Sequence, residues 1–248
     1  MQVVYIQKQL LQMRIFFIPG LCEEIWIFDK IQSHIPGEKV FIENWILLNE
    51  VAKSNLTVLE YAIFLVNKYD IKQEDVVIGH SMGGWIALQI KQLVSCRVIQ
   101  ISSWTNGKKV VTIPLNRRLM FWMAERGIGF YPIARDILVW LHYKNKPSRS
   151  VFTAIFNRMR FGNKQNVAKQ LMVIFNTLKE PISVMPDLRI HAKGDHIINT
   201  PDEPYILVPG DHFSLYTYAH AVYMPIVAFL RLETTNKELQ TLLLYKNS

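Results

Sequence analysis

The stretch "EDVVIGHSMGGWIALQI", Glu74 to Ile90, decides how the chain folds around it. An apolar run enters a turn rich in glycine, and a pattern typical of a helix follows at once. A serine on so sharp a turn between a buried strand and a helix has a strained backbone and holds its hydroxyl above the sheet edge. We therefore predict that Ser81 is a nucleophile. The alternative is a glycine-rich turn in which Ser81 only caps a helix.

Short apolar runs that end in Gly, Ser, Asn or Asp recur along the chain. They are too continuous for half-exposed strands, so they predict a parallel sheet covered on both faces, with the first strand beginning at Arg14. Helical patterns such as "TVLEYAIFLVNKY" separate them. This alternation predicts an α/β fold with a doubly wound, mostly parallel central sheet flanked by helices. The runs are "RIFFIPG", "KVFIENWI", "DVVIGHS", "CRVIQISS", "DLRIHAKG" and "YILVPGDH".

The alternation of strands and helices stops in the middle of the chain. Four helical patterns follow one another there, with no buried-strand run among them. We predict a helical cap, residues 108–181, inserted into a core formed by residues 1–107 and 182–248. A cap at this place would cover one end of the sheet.

The segment "GHSMGG" resembles the nucleophile elbow of the α/β-hydrolase superfamily, and the resemblance extends over most of the chain. The segment "FFIPGL" resembles the oxyanion loop of that superfamily, with Pro19 in place of the usual histidine. The resemblance implies that the backbone N–H of Leu21 stabilises an oxyanion together with that of Met82, which lies near a helix N-terminus. A serine rather than a carboxylate at the elbow favours attack on an acyl carbon.

A serine hydroxyl needs a histidine to remove its proton and a carboxylate to orient that histidine. In this superfamily the chain order is serine, acid, histidine. His212 lies between the last strand and the last helix, and "VPGDHF" resembles the superfamily's histidine loop, so it is the predicted base. His80 neighbours the serine and should point away from its hydroxyl. The loop "RIHAKGDHIINTP" resembles the acid loop and makes Asp195 the predicted acid.

The connection between the predicted acid and base is short. Only 16 residues separate Asp195 from His212. A crossover between parallel strands usually takes a dozen residues or more before the next strand begins. We therefore expect the helix of this connection to be reduced to a turn or missing.

The predicted cap is basic and rich in apolar side chains. From Thr105 to Met185 the chain has 14 Lys/Arg against 3 Asp/Glu, whereas the whole chain has a net charge of +8. The basic segment is open to three interpretations: a solvated face, attraction of an anionic carrier such as CoA or an acyl carrier protein, or contact with an anionic membrane. No motif indicates a nucleic-acid partner.

Most of the large cap side chains should pack within the cap and on the core. Some should line a cleft above Ser81, which favours a small-molecule substrate with a hydrophobic acyl group. The residues in question are Met120, Phe121, Trp122, Phe130, Tyr131, Leu138, Trp140, Phe152, Phe156 and Phe175.

Two cysteines, Cys22 and Cys96, are too few for a disulfide framework and lack zinc-ligand spacing, so a cytoplasmic location is expected. We identify no signal peptide and no run of 18 apolar residues, so a transmembrane segment is not predicted. No metal or organic cofactor is expected. The oligomeric state is left open.

Together these patterns predict a serine hydrolase, of carboxylesterase or thioesterase type (EC 3.1), that forms an acyl-enzyme on Ser81. One alternative is an acyltransferase, or a cyclase or chain-release enzyme of a biosynthetic pathway, acting in the same pocket. Another is a non-catalytic binding protein that has kept the fold.

Overall fold

The computed structural model describes residues 13–53, 55–111, 115–176 and 182–246, with side chains described as far as residue 232. Its strands form one parallel sheet in the order β2-β1-β3-β4-β5-β6. The predicted α/β fold with a mostly parallel sheet is thereby confirmed. The strands are β1 (Arg14–Ile18), β2 (Glu38–Phe41), β3 (Val76–His80), β4 (Arg97–Ile101), β5 (Leu188–Ala192) and β6 (Ile206–Val208).

Helices cover both faces of this sheet. The helices are α1 (Asn44–Glu50), α2 (Val58–Tyr69), α3 (Met82–Val94), α4 (Arg117–Glu125), α5 (Pro132–Leu138), α6 (Arg149–Phe161), α7 (Lys164–Phe175), α8 (Ser214–Thr217) and α9 (Ala219–Lys246). A π-helical turn, Val139–Tyr143, continues α5, and short 3-10 turns occupy Ile25–Phe28, Gln32–His34 and Gly107–Lys109. Among the described residues, no helix is both long and apolar enough to cross a membrane.

Strand β1 shows why the apolar runs are continuous. Side chains alternate between the two faces of a strand, and here both faces are buried. Phe16 and Ile18 pack in the core with α2 and α3, whereas Ile15 and Phe17 pack in the core that includes α9, and all four are fully buried. A strand with two buried faces needs an apolar residue at every position.

The order of the strands brings two chain segments to one place. Strand β1 lies between β2 and β3, so the chain leaves β1 first toward one side of the sheet and later returns to the other. In open α/β sheets, ligands bind at the carboxyl ends of strands where the order reverses in this way. Pro19 follows the end of β1 and Ser81 follows the end of β3, so both lie at that point.

Helices α4 to α7 lie between β4 and β5, and the part of 115–176 that they span contains no strand. The predicted cap boundaries fall at residues 108 and 181, and residues 112–114 and 177–181 are outside the described part of the chain. Helix α7, which lies within the predicted cap, contacts other parts of the chain through hydrogen bonds. The Gln170 side chain accepts from the N–H of Cys22 at 2.6 Å, and the Asn166 amide donates to the Trp45 carbonyl at 2.9 Å. This helix therefore touches the loop that follows β1.

The connection between β5 and β6 contains turns and no helix. The Gly194 N–H donates to the carbonyl of Gly210 at 3.1 Å, and a Cβ at Gly194 would lie 2.7 Å from that oxygen. The backbones before the predicted acid and before the predicted base therefore meet directly. The expectation of a missing helix is confirmed.

Candidate active site

Ser81 lies on the sharp turn between β3 and α3. Its backbone has φ 51° and ψ −120°, a conformation that residues other than glycine rarely adopt. Its N–H donates to the carbonyl of Ile101 at 3.0 Å, and the Ser103 hydroxyl donates to its carbonyl at 2.7 Å. The surrounding structure thus holds a conformation that is unfavourable for an isolated serine.

Glycines permit the close approach of α3 to the sheet. A Cβ at Gly83 would lie 1.9 Å from the carbonyl oxygen of Ile18, and one at Gly79 would lie 2.3 Å from the carbonyl carbon of Gly83. Backbone atoms occupy these positions, so a side chain cannot be accommodated by rotation. The Ser81 side chain makes no capping hydrogen bond to α3, which argues against the helix-cap interpretation.

His212 and Asp195 contact each other at the carboxyl edge of the sheet. The Nδ1 of His212 lies 2.9 Å from Oδ2 of Asp195, and both side chains are almost completely buried. Burial by itself would lower the pKa of His212, but the charge of Asp195 and this hydrogen bond outweigh it and raise the pKa above its ordinary value. The contact places the donor proton on Nδ1 and leaves Nε2 as the basic nitrogen.

The second oxygen of Asp195 fixes the orientation of the carboxylate. Its Oδ1 accepts hydrogen bonds from the N–H groups of Ile197 at 2.8 Å and Ile198 at 2.9 Å. Burial would raise the pKa of Asp195, but the charge of His212 and these hydrogen bonds lower it instead. Asp195 is therefore held as a carboxylate that faces His212.

The loop after β1 lies directly against the elbow. A Cβ at Gly20 would be 2.9 Å from the Cβ of Ser81, so only a glycine fits between them. The next residue, Leu21, lines the cavity above the serine. Met82 is the first residue of α3, where backbone N–H groups have no acceptor within the helix. Leu21 and Met82 thus both lie close to Ser81, and the role of their N–H groups at an oxyanion stays a prediction.

Sequence reasoning missed a second carboxylate at this site. The side chain of Glu23 is 2% exposed, and its Oε2 accepts from the N–H of Gly20 at 2.6 Å and lies 2.8 Å from Nδ1 of His80. The other nitrogen of His80 lies 2.8 Å from the backbone carbonyl of His212. His80 thus connects the loop after β1 to the loop of the predicted base.

The hydrogen bonds of His80 require a shared proton. A carbonyl oxygen can only accept, so Nε2 of His80 carries a hydrogen that it donates to His212. A hydrogen must also lie between Nδ1 and the Glu23 oxygen, whichever of the two atoms holds it. The only sequence signal for this pair is the polar "EE" that directly follows the apolar strand and turn "IFFIPGLC".

One group of described residues has possible ligand atoms close enough together to be considered as a metal site. Its members are Glu23, His80 and His212. One such atom from each lies within 4.8 Å of the others. However, both nitrogens of His80 already have protein partners. His80 therefore has no free lone pair for a cation, and this donor set does not fit a metal.

A cavity of about 330 Å³ opens above Ser81. Among the described residues that line it, the ionisable or hydroxyl side chains are Glu23, Ser81 and His212, and the others are apolar. The apolar lining comes from both the core and the region between β4 and β5. Members from that region include Leu115, Met120, Phe152, Ile155, Met159, Leu171 and Phe175.

Four of the ten large side chains named for the predicted cap are exposed. Most of the ten are buried or partly buried, in line with the prediction. The exposed ones are Trp122, Tyr131, Leu138 and Trp140, at 45%, 58%, 37% and 64%. Each belongs to α4, to α5 or to the residues next to α5. By contrast, Phe121 and Phe156 are buried as expected.

No family model and no curated protein matches the chain. Solved structures do match it: the enol-lactonase from Burkholderia xenovorans LB400 has a TM-score of 0.68 at 16% sequence identity and covers 88% of this chain and 91% of its own. A thermophilic esterase from Thermogutta terrifontis has a TM-score of 0.61 at 15% identity, with coverages of 89% and 90%. The RedJ thioesterase from the prodiginine biosynthetic pathway in Streptomyces coelicolor has a TM-score of 0.56 at 13% identity, with coverages of 90% and 91%. Together with the elbow at Ser81, these likenesses show that the protein has the fold of the α/β-hydrolase superfamily.

Proposed function

We propose that the protein is a serine hydrolase that cleaves a carboxylic ester or thioester with a neutral, hydrophobic acyl group. The observation that carries this proposal is the buried contact between His212 and Asp195 beside the strained Ser81, at the floor of an apolar cavity. The solved structures that resemble the chain include an esterase and a thioesterase by name, which is consistent with this chemistry.

In the proposed reaction, the Ser81 hydroxyl attacks the acyl carbon while Nε2 of His212 takes its proton. Asp195 keeps the other proton of His212 on Nδ1. The N–H groups of Leu21 and Met82 stabilise the negative oxygen of the tetrahedral intermediate. The protonated His212 then gives its proton to the leaving alcohol or thiol, and an acyl-enzyme remains. Water, deprotonated by His212, releases the acid and restores the serine.

The neutral character of the acyl group follows from the lining of the cavity. No lysine or arginine is among the described residues that line it, and the acidic residue Glu23 lies close to Ser81. An acyl chain that ends in a carboxylate would move that charge from water into an apolar cavity with no lysine or arginine among its described lining residues to pair with it. An apolar chain would not have this cost.

The experiment is a screen of p-nitrophenyl esters and acyl-CoAs by chain length, with the ω-carboxylated chain of equal length as a control for each. We expect turnover of the neutral substrates, labelling of Ser81 by a fluorophosphonate probe, and less than about a thousandth of the activity in Ser81→Ala. Near-normal turnover by folded Ser81→Ala would refute the assignment. An acceptor alcohol in the same assay separates hydrolysis from acyl transfer, because transfer yields a new ester in place of the acid.

A further inference from the structure

The outward surface of the region between β4 and β5 is unusually apolar. A folded monomer rarely exposes a large group of apolar side chains unless the group serves an interaction. Two of the six tryptophans of the chain are exposed, and both belong to this surface. We define the exposed cap surface by these residues: Leu115, Leu119, Trp122, Tyr131, Ile133, Ile137, Trp140 and Leu141, which are 38%, 44%, 45%, 58%, 70%, 52%, 64% and 55% exposed.

These residues follow helical spacing, so they form stripes and are not scattered. Along α4 and the residue before its cap, Leu115, Leu119 and Trp122 recur at intervals of four and three. The opposite side of α4 contains the buried residues Phe121 and Ala124. Each helix turn thus presents apolar side chains both inward and outward, which a helix that only packs on a core does not need.

The second stripe runs along α5 and the π-helical turn. Ile133, Ile137 and Leu141 recur at intervals of four, and Trp140 lies beside them. On the inner side of the turn, Val139 and Tyr143 are buried. The His142 ring at this turn lies 5.2 Å from the ring of His196, which follows the proposed acid in sequence. This stripe therefore lies next to the loop that forms the active site.

Basic side chains accompany both stripes. Between residues 108 and 149 the chain has nine Lys/Arg against two Asp/Glu. Arg118, Arg126, Lys144 and Arg149 are exposed, and the guanidinium of Arg126 lies over the Trp122 ring at 4.4 Å from its centroid. One of the two acidic residues, Asp136, is paired with Arg135 at 2.8 Å. A partner with a negative surface is therefore favoured over a neutral one.

The exposed cap surface is continuous with the cavity above Ser81. Val111 and Leu115 are 52% and 38% exposed, and both also line that cavity. A molecule that covered this surface would thus lie at the mouth of the active site. Helices that lie in the headgroup region of a bilayer have this composition, with leucine, isoleucine and tryptophan flanked by arginine and lysine.

We infer that the exposed cap surface docks on an anionic lipid bilayer, with the two stripes inserted among the headgroups and the basic side chains facing the anionic lipid. An anionic bilayer has an apolar interior and a negative surface. The interior matches the apolar side chains of the exposed cap surface, and the negative surface matches the lysine and arginine side chains beside it. Docking goes beyond the proposed hydrolysis and does not depend on it, because Ser81, His212 and Asp195 do not belong to this surface.

The test is flotation of the full chain with vesicles of phosphatidylcholine alone or mixed with phosphatidylglycerol. We expect binding to the anionic vesicles that weakens at high salt, because the lysine and arginine contribution is screened. Two variants should each bind the anionic vesicles at least about tenfold more weakly than the unaltered chain: the double variant Ile137→Ser/Trp140→Ser and the single variant Trp122→Ser. Ile63→Ser, which replaces a 42% exposed isoleucine on α2, is the matched control and should bind normally.

Equal binding by the cap variants and the Ile63→Ser control would overturn the inference, as would no binding to anionic vesicles. Self-association that the cap variants abolish, without vesicle binding, would show that a second copy covers the surface and would also overturn it. So would binding to an acidic carrier protein in the absence of vesicle binding. Flotation of Ser81→Ala, which should equal that of the unaltered chain, separates docking from catalysis.

Discussion

In an Asp195→Asn variant, the new amide nitrogen is expected to face His212. The Oδ1 of Asp195 accepts from two backbone N–H groups, those of Ile197 at 2.8 Å and Ile198 at 2.9 Å. An amide nitrogen at that position would meet two donors, so the asparagine carbonyl must stay there. The NH₂ group then takes the place of Oδ2, which lies 2.9 Å from Nδ1 of His212.

The consequence is the wrong tautomer of His212. Because the asparagine NH₂ can only donate, Nδ1 must accept, and the ring proton moves to Nε2. That nitrogen is the one proposed to remove the proton of Ser81. The corresponding substitution in the serine protease triad lowers kcat by about 10⁴-fold. We expect a decrease of similar size here, which is about 5 kcal/mol of lost transition-state stabilisation.

The assay is steady-state hydrolysis of the best p-nitrophenyl ester from the substrate screen, with kcat and KM determined separately. We expect kcat to fall and KM to change little, since Asp195 does not line the cavity. Asp202→Asn is the matched control: its side chain is 81% exposed and pairs with Lys109, so activity should be unchanged. A kcat within tenfold of the original in folded Asp195→Asn would refute the proposed roles of Asp195 and His212.

Three further outcomes are expected. Gly83→Ala should lose about 3 kcal/mol or more of stability and roughly 6 to 12 °C in Tm, because its Cβ would lie 1.9 Å from the Ile18 carbonyl oxygen. The control is Gly107→Ala, whose Cβ would have no atom within 4 Å. Equal Tm values for the two variants would contradict the packing at Gly83. The acid limb of kcat/KM should have its midpoint above pH 6.5, since His212 must be neutral to act and its pKa is raised; a midpoint below that value would contradict the structure. Glu23→Gln should move this midpoint to lower pH, because the Glu23 charge helps to raise the pKa of His212, and an unmoved midpoint would exclude that influence.

The elbow could be predicted because its determinants are local. Gly79, Ser81 and Gly83 lie within five residues, and the apolar run before them and the helical pattern after them are read from adjacent positions. The structure agrees in detail, since Ser81 has a φ of 51° and both glycines meet backbone atoms. The proximity of Asp195 and His212 was predicted from their order and from the resemblance, and the contact between them is present. Their catalytic roles stay a proposal.

The packing of the helices between β4 and β5 could not be predicted in the same way. The spacing of Trp122, Ile137 and Trp140 indicates helices, but it does not tell which side of a helix the core will cover. Because α4 packs through Phe121 and Ala124, its tryptophan is left outside. Most of the large side chains named for the predicted cap are enclosed as expected, but tertiary contacts decide which of them stay outside.

The sequence by itself determined the parallel sheet and the position of the elbow, because continuous apolar strands and a Gly-x-Ser-x-Gly turn are properties of neighbouring residues. Only the tertiary structure decided that Glu23 reaches His80, 57 residues away, and that His80 in turn reaches the backbone of His212, 132 residues away. No local pattern encodes those contacts. They exist because β1 and β3 are neighbours in the sheet and the last loop folds over their carboxyl ends.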